Sequence, residues 1–108
     1  MSKYYILEGR IPVSCSMDEW VPSMGDKEGR QVAHVTLFPG SDQEVSVSTV
    51  FLGLNHNFSD KGPPILFETM VFGGKFDGEQ RRYSTYKAAE EGHLQVCEMV
   101  LNPGVGGV

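Results

Sequence analysis

Apolar runs along the chain are separated by polar and glycine-rich punctuation, and the spacing changes from strand-like to helical towards the end. Lys3 to Val13 reads as a strand, with Tyr4 and Ile6 on one face and Tyr5 and Leu7 on the other. Pro12 has no N–H to give a ladder, so this strand either ends there or lies at an edge. Ser16-Met17-Asp18-Glu19 has the form of a capping box, in which serine and glutamate satisfy free N–H groups of a first helical turn. Pro22 disfavours helical geometry at Val21, so the helix is short, and Ser23 to Gly29 reads as a polar loop. Gln31 to Phe38 is a second strand, closed by a Pro39-Gly40-Ser41-Asp42 turn.

Val45 to Leu54 begins with alternation and then becomes apolar on both faces, which marks a strand running into the centre of a sheet. Asn55 to Pro64 is a loop. Ile65 to Phe72 is a fourth strand, apolar apart from Glu68 and Thr69. Gly73-Gly74 ends it, Asp77-Gly78 predicts a hairpin turn, and Gln80 to Tyr83 makes a short fifth strand. Ser84 or Thr85 then caps a helix running to about Leu101, with Tyr86, Ala89, His93, Val96 and Val100 on one face. Asn102-Pro103-Gly104 stops the helix, leaving 102–108 as a flexible tail. The expected architecture is α+β: one domain over 1–101, a four- to five-stranded mostly antiparallel sheet, and one long C-terminal helix packed on a face.

Composition narrows the class. A chain of 108 residues has room for one core, and a 40% hydrophobic, 21% charged composition is that of a globular domain. No apolar run reaches the roughly 20 residues that span a bilayer, so no membrane partner is expected. The first residues lack the form of a secretory leader, and two cysteines, Cys15 and Cys97, are too few for a disulfide scaffold. The expectation is a cytoplasmic protein. A net charge of −5 with nine scattered basic residues argues against direct nucleic-acid binding, which needs clustered Lys and Arg.

The segments TVFLGLNHNF, GPPILFETMVFGG and RRYSTYKAAEEGH together resemble a family of small proteins encoded by bacteriophages and prophage-bearing bacteria. Tyr4-Tyr5-Ile6-Leu7 and Met17-Asp18-Glu19-Trp20 echo the family's Tyr-rich first strand and Met-Glu-Trp segment. The chain departs from the pattern after Trp20, where Pro22 and glycines replace a longer helix. The resemblance implies a phage origin, with action in the bacterial host cytoplasm, and brings no catalytic residues with it.

Candidate site residues fall between positions 56 and 93. His56, flanked by Asn55 and Asn57, stands at a strand end, where scaffolds commonly carry function; the plainer account is that Asn-His-Asn satisfies loop backbone groups. Glu68 shares a strand face with Leu66, Met70 and Phe72, so an ion pair with Arg81, Arg82 or a histidine is expected. Arg81-Arg82-Tyr83 leads into the last helix, where guanidinium groups and helix N–H groups together suit a phosphate. The plainer account there is a solvated edge. His93 lies on the core-facing stripe of the helix, which suits a hydrogen-bonded core histidine better than a ligand. Convergence of His56, Glu68 and His93 would make a metal site, but no compact spacing supports one, and neither a metal nor a cofactor is expected.

Two functions follow. The preferred one is an accessory protein that acts by non-covalent binding to a host or phage protein, or to a second copy of itself as a homodimer, to blunt a host defence; Tyr4, Tyr5 and Trp20 are its candidate interface. The alternative is a nucleotide-binding protein or minor hydrolase with a site near Arg82, His56 and Glu68. With no catalytic motif present, the weight falls on binding.

Overall fold

The computed structural model describes residues 2–59 and 61–103. Its elements are β1 (Tyr4–Glu8), β2 (Ile11–Cys15), α1 (Met17–Ser23), α2 (Lys27–Arg30), β3 (Gln31–Leu37), β4 (Val45–Phe51), β5 (Phe67–Phe72), β6 (Gln80–Tyr83) and α3 (Tyr86–Leu101). The strands β3-β4-β5-β6 form an antiparallel meander in chain order, and β1 and β2 form a separate hairpin. With α3 packed on one face of the meander, the fold is α+β as expected.

Alternation along the two central strands decides which face the helix covers. Val45, Val47, Thr49 and Phe51 of β4 are buried, and so are Phe67, Thr69 and Val71 of β5, while the residues between them are half-buried or exposed. These inward side chains meet Ala89, Gly92, His93 and Val96 of α3. The core has two lobes. Val45, Val47, Val71 and Val96 fill one, and Phe51, Leu66, Phe67 and Ala89 fill the other, where Tyr5, Leu7, Tyr83 and Tyr86 close over them.

The first fifteen residues differ from the single strand expected. Gly9, at φ +64°, turns the chain into a second strand, and Pro12 sits inside that strand opposite Leu7. Proline is tolerated there because Leu7–Pro12 is a position without ladder hydrogen bonds. The N–H of Tyr5 faces the Gly53 carbonyl on the other side of β1, so the even-numbered residues of β1 carry the bonds to β2. The missing N–H of Pro12 therefore falls on the free edge.

The capping box at Ser16 forms as expected: Glu19 N–H donates to Ser16 Oγ, and Ser16 N–H to Glu19 Oε1, each at 3.2 Å. Pro22 is accommodated in the last turn of α1. The expected loop over 23–29 contains one more helical turn, α2, capped by Asp26. Arg30 at its end donates to the carbonyls of Met24 at 3.0 Å and Phe51 at 3.3 Å, tying this segment to β4. Thr85 is the N-cap of α3, its Oγ1 accepting from Ala88 N–H at 3.1 Å. The helix ends at Leu101 with Asn102 as C-cap, and positions 104–108 of the expected tail lie outside the described residues.

Candidate functional site

Glu68 and Arg82 come together. They are directly opposed on β5 and β6, and Arg82 Nε lies 2.9 Å from Glu68 Oε2. Their face of the sheet is the one turned away from α3. Arg81, one residue along, projects to the helix side, with Nη2 3.5 Å from Met99 Sδ and Nε 3.7 Å from Glu79. Adjacent arginines on a strand cannot form one fork, because the pleat sends them to opposite faces. Neither lines the cleft at the start of α3. That open space of about 630 Å³ is bordered by Arg10, Ile11, Pro12, Ser84–Lys87 and Glu90. There Arg10 reaches Glu90 at 3.5 Å and covers the Tyr86 ring at 5.2 Å, so the cation expected from position 82 comes instead from the hairpin turn.

Tyr83 and His93 also come together, through two threonines. Tyr83 O–H donates to Thr69 Oγ1 at 3.1 Å, Thr69 and Thr49 hydroxyls lie 2.6 Å apart, and Thr49 Oγ1 lies 2.7 Å from His93 Nδ1. Thr49, Thr69 and His93 are all buried. One polarity lets each threonine hydroxyl donate once and accept once: Tyr83 to Thr69, Thr69 to Thr49, Thr49 to His93 Nδ1. His93 is then a neutral Nε2–H imidazole. Burial lowers its pKa in the same direction, and the nearby charge of His34 adds to the effect. Gly92 completes the arrangement, since a Cβ there would run into the Tyr83 ring. This chain of hydroxyls locks α3 to the sheet. Thr49 and Thr69 were legible only as polar positions inside two apolar runs.

His56 and Asn57 belong to a third place, the loop between β4 and β5, where their side chains build the backbone shape. Asn55 Oδ1 accepts from Asn57 N–H at 2.8 Å and Ile65 N–H at 3.1 Å, bridging the two stems of the loop. Asn57 Nδ2 donates to the carbonyls of Lys61 and Pro63, both at 2.9 Å, while its Oδ1 accepts from Ser59 N–H at 3.0 Å. Ser59 Oγ accepts in turn from Lys61 N–H at 2.9 Å. His56 Nδ1–H donates to the Leu54 carbonyl at 2.8 Å. These bonds hold Phe58 outward with 89% of its surface exposed, its ring tilted against the His56 ring at a centroid distance of 6.1 Å. Sequence reasoning passed over Phe58; the available signal was a lone aromatic inside Asn-His-Asn-Phe-Ser-Asp-Lys-Gly.

A strip of aromatic and apolar residues leads away from that loop. Tyr4 is bridged to Leu54, its ring lies 5.1 Å from Trp20, and its hydroxyl lies 3.3 Å from Met17 Sδ. Met17 and Val21 are each more than half exposed. Of the three candidate interface residues, Tyr4 and Trp20 thus lie along this strip, half-buried against each other, whereas Tyr5 packs into the core. Trp20 sits on Gly53, whose φ of +75° and missing Cβ leave room for the indole. Among the described residues no three His, Cys, Asp or Glu side chains cluster as metal ligands. Neither a protein-family model, nor a curated protein, nor a solved structure matches this chain.

Proposed function

We propose that the protein is a small phage accessory protein that acts by non-covalent binding to a protein partner, with Phe58 as the anchor. One observation carries the reading: a large aromatic side chain, 89% exposed, stands on a loop whose shape is fixed by its own side-chain hydrogen bonds. An exposed phenylalanine keeps its ring in water on folding and so adds little to the fold. On a preorganised loop it loses little entropy on docking, which is where binding hot spots are found. The adjoining strip of Tyr4, Trp20, Met17 and Val21 extends the contact area. The resemblance of positions 48–93 to phage-encoded proteins makes a host protein the expected partner, a defence protein among the candidates.

The test is capture of host proteins on the immobilised protein, identification of what binds, and titration of the purified partner. Phe58→Ala is expected to weaken that affinity about 30-fold, the equivalent of about 2 kcal/mol, while leaving the melting temperature unchanged. Arg82→Gln, at the Glu68 ion pair on β6 and outside the loop, leaves affinity unaltered. A partner held equally well by the Phe58→Ala protein refutes the reading.

A further inference from the structure

The sheet edges are guarded unequally. An exposed edge presents a row of unpaired N–H and C=O groups, and proteins blunt it with proline, charge, short length or a cover. The outer edge of β2 carries Pro12. β6, at one side of the meander, is four residues long and carries Arg81 and Arg82. β3, at the other side, is seven residues long, Gln-Val-Ala-His-Val-Thr-Leu, without lysine, arginine or proline. Its one irregularity is a shift of register between Gln31 and Ala33.

The direction of its free groups follows from the ladder. Leu52 N–H bonds to Leu66 C=O, and Val71 N–H to Glu79 C=O, so even-numbered residues of β4 face β5 and odd-numbered ones face β3. In β3, Ala33, Val35 and Leu37 therefore bond inward to β4, and His34 and Thr36 aim their N–H and C=O outward. Among the described residues no backbone or side-chain group pairs with them.

A second observation points to the same side. Gly92 and Met99 of α3 lie against Tyr83 and Arg81 of β6, which fixes one flank of the helix. On the β3 side, Val35 and Leu37 pack on the core together with Cys97 and Val100 of α3, yet all four are only partly buried. The fold thus leaves an open strand edge and an unfinished apolar margin together.

We propose that this edge pairs with the same edge of a second copy, β3 antiparallel to β3 about a two-fold axis at Val35, making a continuous eight-stranded sheet. In that register His34 and Thr36 of each copy exchange four hydrogen bonds with Thr36 and His34 of the other. The two Val35 side chains meet at the non-hydrogen-bonded position, and Ala33 lies beside Leu37. Such self-complementarity is what a two-fold contact requires. With α3 over the central strands, the two helices stand about 19 Å apart, four strand spacings, so they do not touch. Four backbone hydrogen bonds and a short apolar margin make a small contact, so the dimer forms only as the protein is concentrated.

Sedimentation velocity from about 5 to 500 μM tests this directly. The expected result is conversion from the 11.9 kDa monomer to a species of twice that mass. Thr36→Pro removes an outward N–H that the fold does not use, and is expected to keep the native circular dichroism yet stay monomeric throughout. Independently of that variant's folding, Val35→Cys in a Cys15→Ser, Cys97→Ala background is expected to form an intermolecular disulfide under mild oxidation, and Gln80→Cys on β6 is not. Phe58→Ala dimerises like the parent protein, which separates this surface from the binding loop. A monomer at 500 μM, a dimer that survives Thr36→Pro, or cross-linking through Gln80→Cys in preference to Val35→Cys would overturn the proposal.

Discussion

Replacing Thr49 by valine measures what the buried hydroxyl chain contributes. The two side chains have nearly the same shape, so Thr49→Val opens no cavity and changes only the hydroxyl. That hydroxyl stands between Thr69 at 2.6 Å and His93 Nδ1 at 2.7 Å, and Thr49 itself is 0% exposed. Its loss leaves one unpaired group on each side with no water to replace it. Each such group costs about 1–3 kcal/mol, which gives a loss of about 2–6 kcal/mol in all. For a domain near this size the melting temperature falls by about 10–25 °C. Urea unfolding at pH 7.5, followed by circular dichroism, gives the energy from the midpoint at unchanged slope. Thr69→Val lets the network be separated from its members: the double variant loses less than the two single variants added together, by about 1 kcal/mol, because the Thr49–Thr69 bond can be lost only once. A loss under about 0.5 kcal/mol for Thr49→Val, or strict additivity, refutes the account of the network as a lock between helix and sheet.

Three further outcomes follow from the same structure. Because burial holds the folded-state pKa of His93 below the ordinary value of 6.5, the stability it contributes is complete above that value. It is lost as the pH falls from there through the folded-state value; the urea midpoint of the parent protein drops between pH 7.5 and 5.5, and His93→Leu flattens that slope. Gly92→Ala gains about 1 kcal/mol of helix propensity but drives a methyl group into the Tyr83 ring, so it lowers the melting temperature; an increase would show that the ring yields freely. A panel of nucleotides and divalent metals leaves the melting temperature within about 1 °C of its value, since ligands of the native state would raise it. A shift abolished by Arg82→Ala would restore the small-molecule alternative.

The strands of the meander, α3 and the N-caps of α1 and α3 were legible in the sequence because each rests on a local signal: alternation at Val45–Ser48, a Ser-x-x-Glu box at position 16, a threonine before an amphipathic run. The N-terminal hairpin was not. Gly9 between Glu8 and Arg10 is a weak turn signal, and the side of a strand on which a proline's missing N–H falls is set by a partner 40 or more residues away. The candidate residues divided for a similar reason. Glu68 announced its ion pair because a lone carboxylate in an apolar run must find a cation. Whether Arg81 or Arg82 supplied it depended on the register of β6. The position of Phe58 depended on hydrogen bonds made by Asn55, Asn57 and Ser59, and residue types in a loop do not reveal such a network.

The attachment of β1 to the residues just before that loop has a consequence for how the molecule opens. Tyr5 N–H bonds to Gly53 C=O, and Asn55 N–H to Lys3 C=O, both at 2.9 Å. Half the chain separates these partners, so the clasp closes late in folding and, being small, is among the first parts to release. Asn55 is also the residue whose carboxamide joins the loop's two stems. Detaching Lys3–Tyr5, by proteolysis or by a competing strand, would therefore loosen the Asn55 stem of the Phe58 loop without unfolding the sheet. In hydrogen exchange, the amides of Tyr5, Asn55 and Asn57 would trade as one cooperative unit, faster than those of β4 and β5, making the first strand a latch on the binding loop.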